Sequence, residues 1–261
     1  MDIGLNALAG LVVGIMVGAT GVGGGAVMTP LLVLLMGVAP NTAVGTDLIF
    51  ASVTKAFGVG AHHAKGRVDW QVVRRLAAGS LPAAIATLIW LQSMESAGDR
   101  HGLIVAALGA VLLFTAVAMA SKPFLAKLGK QRRLADPTRF KKYQRPLTVF
   151  AGIALGFLVT LTSIGAGALG AVMLLFLYPL RLTPAKLVAT DLAHAIPLAL
   201  VAGAGHLLIG NVDFVLLGQL LLGSLPGVWI GSHLGGKLPD NVLRLCIALV
   251  LGGVGMRLVS T

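Results

Sequence analysis

Charge is what this sequence has least of. Of its 261 residues only 11% are Asp, Glu, Lys or Arg, where a soluble domain carries about 25%. Hydrophobic residues make up 57%, and the mean hydropathy is +0.93. That balance excludes a water-soluble enzyme or a nucleic-acid-binding domain of ordinary composition. Cysteine is all but absent. Cys246 stands alone inside an apolar run, so the chain can form no internal disulfide and no cysteine metal site, and Cys246 reads as a small packing residue. The start, Met1-Asp2-Ile3, has no basic leader region, so no cleaved signal peptide is expected.

What is present is a series of long uncharged runs: 3–46, 76–94, 102–121, 146–180 and 214–236. At 1.5 Å per residue each is long enough to cross a hydrocarbon core of about 30 Å. Apolar segments are expected at roughly 3–20, 25–37, 41–62, 72–92, 102–121, 147–162, 166–180, 184–207, 213–236 and 241–259. The net charge of +11 lies between them. Residues 122–145 hold Lys122, Lys127, Lys130, Arg132, Arg133, Arg139, Lys141, Lys142 and Arg145 against the single acid Asp136. Cytoplasmic loops collect Lys and Arg, so a linker over 122–146 should be cytoplasmic. Alternation outward from it puts 17 of the 20 basic residues inside and both termini outside. The basic surplus is thus a topology signal with lipid-phosphate contacts, and no nucleic acid is implied.

The chain also repeats itself. Gly10-x-x-x-Gly14 matches Gly152-x-x-x-Gly156, and Thr20-Gly21-Val22-Gly23-Gly24-Gly25-Ala26 matches Thr162-Ser163-Ile164-Gly165-Ala166-Gly167-Ala168. After a two-residue insertion, Pro40 matches Pro184, Thr46-Asp47-Leu48 matches Thr190-Asp191-Leu192, and Gly66-x-Val68-Asp69 matches Gly210-x-Val212-Asp213. Gly79-Ser80-Leu81-Pro82 then matches Gly223-Ser224-Leu225-Pro226. Polar residues and prolines agreeing in one order are not a product of shared apolar composition. Five segments per half is an odd number, so the second half enters the membrane from the opposite side. The expected fold is an all-α polytopic membrane protein of two inverted five-segment repeats, 1–121 and 147–261, with glycine-broken short helices meeting within the membrane. Many secondary transporters share that plan.

The glycine breaks carry the first candidate site. The segment after Gly25 has about 12 apolar residues and rises only about 18 Å, too short to span. Unwound backbone at that depth is tolerated in protein or against a wet cavity. The short helix beyond it points bare N–H groups and a partial positive charge at that place, which suits a small anion. Thr20, Gly21, Gly23, Gly24 and Gly25, with Thr162, Ser163, Gly165 and Gly167, are the candidate substrate-binding residues, the hydroxyls adding donors. Gly10, Gly14, Gly227, Gly231 and Gly235 fit tight helix crossing instead. Gly21 to Ala26 also fits the dinucleotide pattern G-x-G-x-x-G/A, but that pattern belongs after a strand of a soluble fold.

Ionisable residues inside membrane segments are costly and are functional candidates by default. Thr46 and Asp47 are paired by the repeat with Thr190 and Asp191. These residues, with Lys55 and His194, are candidates for gating or proton coupling; bracing the broken backbone is the other role open to the acids. Lys55 has Ala199 as its counterpart. Three roles are open to it: attracting an anion, pairing with Asp47, or extending toward the membrane edge. His194 is one turn from Asp191 and is a proton-relay candidate, or a packing residue. His62, His63 and His206, at segment ends, read as interfacial. Ser163 with His194 hints at an intramembrane serine protease, without the surrounding motif. No metal site and no cofactor are expected, and no nucleotide-binding domain is present to drive an ATP pump.

The pattern Gly14-x-x-x-Gly18-Ala19-x-Gly21-x-Gly23-Gly24-Gly25, then Pro30, Pro40 and Gly45-Thr46-Asp47, resembles the sulfite exporter TauE/SafE family of bacterial membrane transporters. The second copy, with Gly165-x-Gly167 and Ala189-Thr190-Asp191, resembles it too, so the likeness covers essentially the whole chain. It implies a multi-pass permease of the bacterial inner membrane for a small sulfur-containing anion such as sulfite or an organosulfonate; export is the expected direction, with coupling to protons one option open to it. Uptake of thiosulfate or sulfate, and a non-transporting structural or assembly role, are the competing readings. Its partners would be the anionic substrate and the bilayer, with homo-oligomer formation open. The second break departs from the first, with Ser163 and Ala166 where Gly21 and Gly24 stand.

Overall fold

A computed structural model describes residues 3–20, 25–61, 68–94, 97–135 and 137–234, with helical positions at 249, 252–253 and 255–256. The architecture is all-helical, with no strand among the described residues. In order the helices are α1 (Ile3–Thr20), α2 (Gly25–Leu34), α3 (Pro40–Ala61), α4 (Trp70–Ser93), α5 (Ala97–Ala120), α6 (Lys122–Ala135), α7 (Pro137–Thr162), α8 (Ala168–Leu177), α9 (Pro184–Ile209) and α10 (Phe214–Leu234). Among the described residues, five helical stretches are long and apolar enough to cross a membrane: Trp70–Ser93, Gly102–Ala120, Phe140–Thr162, Pro184–Ile209 and Phe214–His233. The two helices that follow the glycine breaks, α2 and α8, have 10 residues each. At 1.5 Å per residue they rise about 15 Å, half a bilayer core. The expected tenth segment, 241–259, falls almost wholly outside the described residues.

Small residues set the closest helix contacts, and these contacts come in equivalent pairs. Where α1 lies on α10, a Cβ on Gly10 or Gly14 would run into the backbone of Leu220 or Ser224. Where α7 lies on α4, Gly152 and Gly156 meet the backbone of Leu76 and Ser80 in the same way. The repeat maps each of these residues onto its partner in the other crossing. Gly227 and Gly231 of α10 likewise sit against the backbone of α1. This is the small-residue packing by which membrane helices approach without a hydrophobic driving force. Gly235 lies outside the described residues.

Each crossing joins a helix of one half to a helix of the other. Val13, Met28, Phe50 and Leu220 form one apolar cluster, from α1, α2, α3 and α10. Leu76, Leu155, Leu169 and Leu187 belong to a second, from α4, α7, α8 and α9. Between them α3 and α9 meet through Val44, Leu48, Ala195, Leu198 and Ala199.

The basic linker is helical. α6 occupies most of it, and α7 is opened by Pro137, a first-turn position where the missing proline N–H is not needed, well ahead of the apolar run from Pro146. α6 presses on α8, where a Cβ on Gly129 would come within 2.6 Å of the Phe176 carbonyl oxygen. Gln144 Nε2 donates to the Leu177 carbonyl at 2.5 Å, satisfying an orphan acceptor at the end of α8.

Candidate functional site

The second glycine break is a shaped turn. α7 stops at Thr162, whose hydroxyl donates to the Leu158 carbonyl at 2.7 Å and accepts the Ile164 N–H at 3.2 Å. That hydroxyl is therefore committed to the backbone. Ser163 has φ of 58°, in the left-handed region that side chains rarely occupy. Gly165 and Gly167 have φ of 122° and 120°, values that glycine adopts at little cost. Gly167 caps α8 without any side-chain hydrogen bond. Sequence, turn and helix start thus combine to leave the positive end of α8 free of a side-chain cap.

Helix α3 lays two ionisable side chains against this turn. Asp47 is fully buried and accepts the Thr29 hydroxyl of α2 at 2.5 Å. The Ser163 hydroxyl lies beside the Asp47 carboxyl without closing a well-formed hydrogen bond, and Ser163 Oγ and Asp47 Oδ1 are both buried and unpartnered. Lys55, 2% exposed, donates from Nζ to the Ala166 carbonyl at 3.1 Å. It is the only buried Lys or Arg among the described residues, and it interacts electrostatically with both Asp47 and Asp191. An extension toward the membrane edge is thereby excluded.

From the other side α9 contributes Asp191. Its Oδ1 occupies the space where a Cβ on Gly170 would stand, and makes no hydrogen bond. His194 is fully buried, and its Nε2 pairs with the Ser80 hydroxyl of α4 at 2.8 Å. It does not pair with Ser163, so no serine dyad exists here. The second break, Asp47, Lys55 and Asp191 are therefore gathered at one buried place. Burying such groups is costly unless they are paired or used, and three of their polar atoms, Asp47 Oδ1, Ser163 Oγ and Asp191 Oδ1, have no partner.

The threonines of the two Thr-Asp pairs act elsewhere. Thr46 Oγ1 accepts the Asp213 N–H, and Thr190 Oγ1 accepts the Asp69 N–H, both at 3.0 Å. Each hydroxyl thus fastens α3 or α9 to the start of a helix in the opposite half. Asp69 and Asp213 are themselves helix caps: Asp69 Oδ1 accepts from Val72 and Asp213 Oδ1 from Val215 and Leu216. In sequence these acids showed only as repeat markers, although Asp before a helical run is a cap signal. Asp69 additionally forms a two-pronged ion pair with Arg181, which sequence separation hid.

His206 corrects an expectation. It is fully buried, with Nε2 at 2.9 Å from the Thr160 carbonyl and Nδ1 facing Asn211, because its helix end is covered by α7. His62 and His63 lie outside the described residues. So do Gly21, Gly23 and Gly24, while Thr20 ends α1 and Gly25 opens α2.

Residues 6–258 match the family described as Sulfite exporter TauE/SafE. The chain belongs to that family. It is a multi-pass membrane transporter of the TauE/SafE type. A probable membrane transporter protein of Bacillus subtilis (strain 168), YjnA, is 41% identical over 212 residues, 80% of this chain and 81% of the relative. A second from the same organism, YdhB, is 29% identical over 206 residues, 78% of each chain. No solved structure matches this TauE/SafE chain.

Proposed function

We propose that this TauE/SafE protein is a secondary permease that exports a small sulfur-containing anion, such as sulfite or an organosulfonate, across the bacterial inner membrane. The observation that carries this reading is Lys55, buried and laid across the second glycine break at the Ala166 carbonyl. An ammonium has three donors, and the Ala166 carbonyl takes one. The others, with the unpartnered Ser163 hydroxyl and the start of α8, make a donor set for one compact oxyanion. Gly165 and Gly167 allow the anion to approach the backbone. The repeat pairs the first break, Thr20 to Gly25, with the second, and it takes the matching part in binding. Asp47 and Asp191 carry the protons exchanged for substrate. The buried Ser163 and Lys55 belong to a closed form of the cycle.

The two halves, 1–121 and 147–261, are inverted, which the doubled crossings and the paired Thr46 and Thr190 latches support. Linker 122–146 is cytoplasmic and both termini are outside. In a chain lacking Cys246, an impermeant thiol reagent on spheroplasts should label a cysteine at Glu95 and spare one at Gln131; the reverse would overturn the orientation. Substrate is tested with purified protein in liposomes loaded with labelled sulfite, an organosulfonate, thiosulfate or sulfate. Efflux of sulfite or the sulfonate, lost in Lys55→Met, supports the proposal. Efflux of neither, or efflux indifferent to Lys55→Met, refutes it.

A further inference from the structure

A cavity of about 470 Å³ opens between α4 and α7, lined by Gln71, Arg74, Arg75, Ala78, Arg145 and Val149. Three guanidinium groups surround it. Among the described residues no carboxylate pairs with any of them, the ion pair there being Arg181 with Asp69. Their depth is set by the sequence: Arg75 directly precedes the uncharged run from Leu76, and Arg145 directly precedes the one from Pro146. All three arginines therefore stand where an apolar helix enters the hydrocarbon, the level of lipid phosphates. Ala78 and Val149 floor the cavity, and beyond it the same two helices expose Leu147, Phe150, Ile153, Ile85 and Ile89.

We propose that this cavity binds the headgroup of an anionic phospholipid, with its acyl chains lying on the exposed apolar face of α4 and α7. Guanidinium forks match phosphate oxygens in geometry as well as charge, and basic pockets between membrane helices are suited to acidic headgroups. The head alone would satisfy the arginines; the apolar strip below them fits the tails and favours a lipid over free phosphate. The site also touches the transport machinery. Arg75 Nη1 donates to the Tyr178 hydroxyl at 3.2 Å, which meets Thr148 Oγ1 at 2.8 Å, and Tyr178 is the residue that ends α8. A lipid held by Arg74 and Arg145 would fix the wall against which the short helix of the second break is anchored.

The test measures lipid retention by native mass spectrometry on the full chain, purified in detergent and offered phosphatidylglycerol, phosphatidylcholine or inorganic phosphate. The wild type should retain phosphatidylglycerol and not phosphatidylcholine. Arg74→Gln with Arg145→Gln should weaken retention roughly tenfold or more, whereas Lys141→Gln with Lys142→Gln, the same loss of charge outside the cavity, should leave it unchanged. Val149→Trp, which fills the cavity and keeps every charge, should also expel the lipid, and it serves if the double arginine variant does not fold. Equal retention of both lipids, equal loss in the two double variants, unchanged retention in Val149→Trp, or binding of inorganic phosphate without phosphatidylglycerol would each overturn the assignment.

Discussion

The two halves of this transporter are alike where they pack and unlike where they face the second glycine break. Gly10 and Gly14 meet α10 as Gly152 and Gly156 meet α4, and Thr46 holds Asp213 as Thr190 holds Asp69. In contrast, Lys55 has apolar Ala199 as its counterpart, Phe50 stands opposite His194, and Ser163 replaces Gly21. Asp47 is hydrogen-bonded to Thr29, while Asp191 Oδ1 lies bare against Gly170. Symmetry therefore belongs to the scaffold, where equivalent helices make equivalent contacts. Asymmetry belongs to the centre, where Asp47, Lys55 and Asp191 gather beside the second break. Lys55 is the one buried Lys or Arg among the described residues, and it is set beside two buried acids, so the repeat does not distribute the charges of the centre evenly.

Variants at equivalent positions separate these two kinds of residue. The largest contrast should be at Lys55. Lys55→Met should abolish substrate flux in liposomes, at least 100-fold on the order expected when a central charged contact is lost, with the protein still monodisperse. Ala199→Ser, a small change at the buried counterpart, should retain flux to within a few-fold. Comparable losses at both positions would make the asymmetry irrelevant to transport.

The next contrast should vanish. Gly10→Val and Gly152→Val each force a side chain into the backbone of a facing helix, and overpacking typically costs about 1–3 kcal/mol. Both should lower the thermal unfolding temperature in detergent, and by similar amounts. A large effect at one and none at the other would break the equivalence of the crossings.

Asp47→Asn and Asp191→Asn probe the acids. Each keeps an acceptor and loses its proton, so stability should change little. Export against a gradient should fall several-fold, while exchange of substrate survives. Gradient-driven export equal to wild type in both variants would return the acids to a bracing role. Smaller still, Thr46→Val and Thr190→Val each strip the acceptor from one N–H, at about 1 kcal/mol. Both should show the same modest loss of unfolding temperature; unequal losses would mean that the latches are not equivalent.

Much of this was visible in the residues. The uncharged run from Pro146 is too long for one helix and carries Gly165 and Gly167 in its middle, so a break followed by the short helix α8 was legible from length and composition. The small residues and the Ser-Leu-Pro motifs inside α4 and α10 repeat together, and the crossings built on them recur with them. The site was less legible. Lys55 meets Ala166 across 111 positions, and no local pattern predicts which turn a buried lysine will reach. Thr29 gave no signal, being one hydroxyl in an apolar helix. Thr162 looked like a substrate donor and is instead occupied by its own turn. His206 looked interfacial because it stands at a helix end, and only the packing of α7 over that end buries it. The linker read as charge and little else, since Lys and Arg mark topology strongly and helical structure weakly.

Ser163 offers the most direct measurement. Its left-handed backbone is one that glycine adopts more easily, so Ser163→Gly should fold at least as well as the wild type while converting the second break toward the first. Isothermal titration of the purified protein with sulfite, or with the organosulfonate if that is the better substrate, then isolates the hydroxyl. If the anion sits between Ser163, Lys55 and the start of α8, affinity should fall roughly tenfold, the value of one good hydrogen bond to a charged group. An undiminished affinity in a protein of unchanged stability would contradict placement of the anion at the second break.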